Sequence, residues 1–274
     1  MSKEIDSAAE EKTKPSSTDT RVVLFVDLLG VKAKWLKGGR EAAEAAFKEF
    51  RNIVASSICK CEQKDLVHGL VESDSVALTY SNVQSALEVA QKMYLGAFEK
   101  TNRRIWLRGC IVRRDGEDEL RSATCFAGTL SKVQLMLYSK PLLEAISVEK
   151  AGYKGMRLLV SRGVITPALK AAVKQPMGHL NFIPLTKLRN STYPKKLEET
   201  FVDYLWMGTS NRECFDELNK IMAVRLRTAA NDSEEFVQAA ATQVVFHECA
   251  AILSSVGGKA HYRELKNRAQ IETQ

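Results

Sequence analysis

From Arg21 to Gly30 the chain reads RVVLFVDLLG, in which Val22 to Val26 form an unbroken apolar run before Asp27. Such a run, rich in β-branched and aromatic side chains, predicts a strand covered on both faces. Residues 31–40 carry Trp35 and the pair Gly38-Gly39. In Glu41–Ser57 the spacing of Ala45, Phe47, Phe50, Ile53 and Val54 predicts a helix that packs on the sheet. Leu66–Tyr80 reads as two apolar strands folded back around Glu72-Ser73-Asp74-Ser75, and Ser81-Asn82 then caps an amphipathic helix over Val83–Glu99. Ile105–Arg114 is the next predicted strand, with Arg108 and Gly109 at its middle. Glycine there permits close approach of another group. Gly128–Lys150 reads as mostly helical and divided near Pro141. Met156–Val160, Phe182–Leu185 and Phe201–Met207 read as strands, with a basic loop over Lys187–Lys196. Helices over Asn211–Thr228 and Ser233–Ser255 complete the pattern.

The order β α ββ α β α β followed by a ββ pair predicts an α+β fold, a mixed sheet with helices packed on it. Three regions are expected: a disordered tail over 1–19, a catalytic-size domain over 20–210 and a helical C-terminal extension over 211–274. The tail has almost no large apolar side chain with which to offset the entropy of ordering.

Composition changes this picture little. The 274 residues are 45% hydrophobic and 27% charged, as in an ordinary globular protein. No apolar run reaches the roughly 20 residues that span a bilayer, and the N-terminus is polar where a signal peptide is apolar, so a cytoplasmic protein without membrane contact is expected. Cys59, Cys61, Cys110, Cys125, Cys214 and Cys249 form no CxxC pair and share no ligand spacing with the four histidines, which argues for reduced thiols over a zinc site. The net charge of +7 suits an anionic partner. No nucleic-acid-binding motif accompanies it, so nucleic acid is not an expected partner.

The chemistry lies in two carboxylates. Asp27 ends an apolar strand and Asp74 sits at the tip of a hairpin that can lie beside it. A carboxylate there costs several kcal/mol, roughly, unless cations or strong donors compensate it. The two together suit one or two hard divalent cations, Mg²⁺ or Mn²⁺. The alternative is that Asp27 caps a helix and Asp74 is a solvated turn residue. An arginine inside a central strand, Arg108, either snorkels at an edge or faces a ligand.

FVDLLG, then VESDS on a hairpin, LRGCI on a strand and PLLEAISVEKAG leading into MRLLVS together resemble the class III nucleotide cyclase catalytic domain, and most the pyrimidine (uridylate) cyclases of Pycsar antiphage defence. The resemblance spans about residues 21–165. It implies two-metal phosphoryl transfer in a ferredoxin-like core, with two divalent ions (Mn or Mg) held by Asp27, Asp74 and the carbonyl of Leu28. It also implies that the backbone of Leu29, Gly30 and Val31 cradles the terminal phosphates, that Phe25 lines the substrate pocket, and that the chain works as a head-to-tail homodimer on UTP. CTP and a catalytically silent nucleotide-binding module are the alternatives. The sequence departs from the purine enzymes at two places. Leu70 stands where adenylate cyclases carry a purine-reading lysine, and Leu143 and Ser147 replace the asparagine and arginine that serve the transition state. Arg108, Arg113 and Lys140 are the candidate replacements.

Overall fold

The run Val22–Leu29 forms the expected strand, β1, at the centre of a sheet in the computed structural model. The structure describes residues 21–61, 65–71, 74–99, 105–113, 121–125, 134–138, 140–151, 153–167, 169, 182–185, 195–204, 206, 212–229 and 234–257. The expected 1–19 tail lies outside them. Apolar side chains of β1 are at most 8% exposed, because strands cover both edges and helices both faces.

β1 is followed by helix α1 (Val31–Cys59), hairpin strands β2 (Leu66–Val71) and β3 (Ser75–Tyr80), helix α2 (Val83–Glu99) and strand β4 (Trp106–Arg113). β1 pairs antiparallel with β3 on one side and with β4 on the other, giving the order β2-β3-β1-β4. This is the ferredoxin-like βαββαβ arrangement. Next come strands β5 (Arg121–Cys125) and β6 (Gln134–Tyr138), which form a separate two-stranded sheet, then helix α3 (Lys140–Lys150) and strand β7 (Leu158–Ser161). β7 joins β4 in parallel, and β8 (Phe182–Pro184) and β9 (Phe201–Tyr204) extend that edge to seven strands in the order β2-β3-β1-β4-β7-β9-β8. The fold is therefore α+β on a mixed sheet.

Neighbouring residues of β4 show which helix covers which face. A Cβ at Gly109 would meet the Tyr94 hydroxyl of α2 and the Phe25 carbonyl, whereas the Cys110 thiol bonds the Ala145 carbonyl of α3 at 3.5 Å. Successive strand residues point to opposite faces, so α2 and α3 cover opposite faces. Phe25, Asp27, Arg108 and Cys110 share the α3 face.

Several boundaries differ from the sequence pattern. α1 begins at Val31, not near Glu41, and kinks at Gly39, where φ is 69°. Its end is capped by the Lys92 ammonium, which donates to the Lys60 carbonyl at 2.7 Å, a cation at the negative pole of the helix. Residues 134–138 are strand, not helix, since QLMLY pairs with β5, and Pro141 falls in the first turn of α3, where its missing N–H costs nothing. A helix α4 (Lys195–Thr200) occupies the end of the expected basic loop. Helices α5 (Arg212–Thr228) and α6 (Glu234–Gly257) share the main core, with Phe246 of α6 5.3 Å from Phe98 of α2, ring to ring.

Candidate active site

β1 ends at Leu29, and Gly30 turns the chain into α1 with φ at 77°, a left-handed conformation that side chains other than glycine adopt at a cost. The turn leaves the first N–H groups of α1 without intrahelical partners, one residue beyond the buried Leu29. Asp27, Leu28, Leu29, Gly30 and Val31 thus form one continuous strand-to-helix corner. The β2–β3 hairpin reaches the same corner. Asp27 lies opposite Ser75, and the Leu28 N–H donates to the Asp74 carbonyl at 2.7 Å. The structure therefore brings together the two carboxylates that lie 47 positions apart in the chain.

Their electrostatics are unbalanced. Burial and the charge of Asp74 push Asp27 up from 3.8 to about 7, while the Arg108 charge and a hydrogen bond with the Leu28 backbone pull the other way. Arg108 lies directly across β4 from Asp27, with Nη2 4.0 Å from Oδ2. That is too long for a close ion pair, and the desolvation it leaves uncompensated is what a cation would relieve. Among the described residues no group of three or more His, Cys, Asp or Glu side chains could hold a metal. Two carboxylates and a backbone carbonyl are an incomplete set that fits Mg²⁺ or Mn²⁺, which commonly take one or two carboxylates and complete their shell with substrate phosphates and water.

Arg108 is held in its own chain. Nη1 donates to the Tyr153 carbonyl at 2.9 Å, and the guanidinium lies 5.3 Å from the centre of the Tyr153 ring. Arg108 and Asp27, which a head-to-tail dimer would set against each other across two chains, are neighbours within one chain. Arg113 is five residues further along β4, about 16 Å at strand rise, and pairs with Val22 at the opposite end of β1. It does not reach this corner. Lys140 opens α3, and its side chain lies outside the described residues. Phe25 is 8% exposed and belongs to the core, and Leu70 on β2 is half-buried opposite Ala77. Leu143 and Ser147 are exposed on α3, and the Ser147 hydroxyl donates to the Leu143 carbonyl.

Tyr153 was missed by sequence reasoning because nothing in YKGMR marks it. A better signal existed for the buried pair Arg157 and Asp203, in contact at 2.5 Å and at most 3% exposed, since each charge interrupts an apolar strand sequence.

No protein-family model matches the chain, and no curated protein sequence does. Among solved structures, the crystal structure of the adenylyl cyclase CyaB from P. aeruginosa is similar. The identity is 13%, the match covers 67% of this chain and 92% of that one, and the TM-score is 0.41. No helix among the described residues is long and apolar enough to cross a membrane.

Proposed function

We propose that this protein is a nucleotide cyclase that converts UTP to 3′,5′-cyclic UMP and pyrophosphate, a second messenger for antiphage defence. The observation that carries the reading is the corner itself. Two carboxylates, one of them held near 7 by burial and by the other, lie beside a glycine-initiated helix N-terminus whose free N–H groups suit phosphate oxygens. Two divalent ions bound there would supply charge neutralisation at the triphosphate and a more acidic ribose 3′-hydroxyl. The chain's own residues orient the rest. Asp27 and Asp74 hold the cations, Leu28 offers a carbonyl, and the backbone from Leu29 to Val31 receives the β- and γ-phosphates. Arg108 places a fixed positive charge against the charge that develops on the leaving pyrophosphate.

Choice of a pyrimidine rests on the sequence resemblance and on Leu70, an apolar side chain that donates nothing to a purine ring. A head-to-tail homodimer fits the exposed Trp35, Leu36 and Leu143, which are 52%, 74% and 56% exposed. A nucleotide-binding module without turnover is the second reading, favoured by Leu143 and Ser147, which offer no cationic group to a transition state.

Incubation of the purified protein with each of the four triphosphates and Mn²⁺, followed by product analysis, tests the proposal. Cyclic UMP and pyrophosphate are the expected products. Binding of UTP without turnover would select the second reading, and efficient conversion of ATP would overturn the pyrimidine assignment.

A further inference from the structure

Between α3 and β7, residues 153–157 run as a strap along β4. The Tyr153 carbonyl accepts from Arg108, the Tyr153 hydroxyl donates to the Gly109 carbonyl at 3.0 Å, and the Gly109 N–H donates to the Arg157 carbonyl at 3.1 Å. The outer side of the strap is held by helix α6. The Gly155 N–H donates to Gln238 Oε1 at 2.7 Å, and the Met156 N–H donates to Thr242 Oγ1 at 2.9 Å. Gly155 has φ at 83°, and a Cβ there would lie 2.9 Å from the α6 backbone at Ala241 and Thr242. Glycine is therefore required for the strap to lie this close to the helix. Gln238 and Thr242 are essentially buried, at 1% and 0% exposed. Two elements far apart in sequence thus grip the same five residues from opposite sides, and one of them ends at the guanidinium beside Asp27.

We propose that the 153–157 strap is a positioning element for Arg108, and that the C-terminal helix α6 sets its place through Gln238 and Thr242. Tyr153, Gln238 and Thr242 touch no substrate in this scheme. They act through Arg108, whose carbonyl partner and ring platform fix the direction in which its charge points. A displacement of about 1 Å in such a group can cost on the order of 100-fold in rate. The inference rests on the cyclase reading for its catalytic consequence, but the coupling of the strap to Arg108 is a property of the chain that metal binding reports independently.

A double-mutant comparison on the full-length chain tests it. Tyr153→Leu, which removes the ring and hydroxyl, and Thr242→Val, which removes the acceptor at nearly constant volume, are each made with Arg108 and with Arg108→Met. Turnover and Mn²⁺ affinity, the latter by titration of the nucleotide-free protein, are measured for all. With Arg108 present, Tyr153→Leu should lower kcat about 10- to 100-fold with little change in KM and should tighten Mn²⁺ binding several-fold, as the opposing guanidinium leaves Asp27. In the Arg108→Met background, where turnover is already lost, Mn²⁺ affinity should not move. Thr242→Val should follow the same pattern with a smaller effect. Equal changes in both backgrounds would overturn the proposal, because a purely structural role of the strap does not depend on the residue at 108. If Tyr153→Leu fails to fold, Tyr153→Phe, which loses only the bond to Gly109, is subject to the same comparison. A parent protein with no turnover but with Arg108-dependent coupling in Mn²⁺ affinity would sink the cyclase reading and support the strap.

Discussion

Asp27 and Asp203 show how one residue pattern reaches two ends. Each lies within a strand directly after the apolar pair Phe-Val, and burial raises both carboxyls above their usual range. Asp203 is met by Arg157 at 2.5 Å inside the core, whereas Asp27 has Arg108 only at 4.0 Å and a second carboxylate beside it. The first is a closed pair and the second an open one. For Asp27 the folded state binds a proton that the unfolded chain releases near 3.8. Stability in metal-free buffer should therefore fall as pH rises from about 4 to about 7 and level off above that. At roughly 1.4 kcal/mol per unit, the loss is about 4 kcal/mol at most. Asp27→Asn should flatten that dependence and raise the unfolding temperature at pH 8 while abolishing cyclisation; denaturation scans at several pH values with chelator present check the first part. Retention of near-normal turnover by Asp27→Asn or Asp74→Ala at saturating Mn²⁺ would contradict the metal assignment.

Arg225 on α5 illustrates how the elements are tied together. Its guanidinium donates to the carbonyls of Ala97 and Phe98 at the end of α2, both at 2.9 Å, and to Ile105 at 3.2 Å, and it stacks on Phe98 and Trp106. It therefore completes a helix C-terminus that has no internal partners for its last carbonyls and favours a cation there. Replacing it with methionine keeps much of the packing but strands those buried acceptors, at about 1–3 kcal/mol for each group left unsatisfied. Urea unfolding of Arg225→Met should show a lower midpoint with an unchanged slope. A midpoint equal to that of the parent would mean that α5 is not a structural brace of α2.

In the whole molecule, the adjacency of β1 and β4 puts Asp27 and Arg108 in one chain. Within a homodimer, one chain with Asp27→Ala and one with Arg108→Ala would then damage both sites. Mixing the two inactive variants should restore no activity even after demonstrated subunit exchange, which mass analysis of differently tagged chains can establish. Recovery toward half of the parent activity per dimer would show that Arg108 serves its partner's Asp27. Sedimentation of the parent chain checks the dimer itself, and a monomer at catalytic concentrations would remove the need for a composite site.

Much of this fold is legible along the chain because local patterns have local causes. An unbroken apolar run of strand length makes β1. Apolar residues at helical spacing after Asn82, whose side chain accepts from the Gln84 N–H at 2.8 Å, make α2. A carboxylate at the end of such a strand marks Asp27 as unusual before any coordinate is known. What the pattern misread was also local in cause. QLMLY carries no period that separates strand from helix, and only its pairing with β5 decides for strand. Which distant groups meet is settled only in the packed molecule. Asp27 lies 81 positions from Arg108, Arg157 lies 46 from Asp203, and Gly155 lies 83 from Gln238, so that no spacing rule connects them. Their contacts follow from strand order and from which face each side chain occupies, and those are settled by packing the whole sheet between α2 and α3.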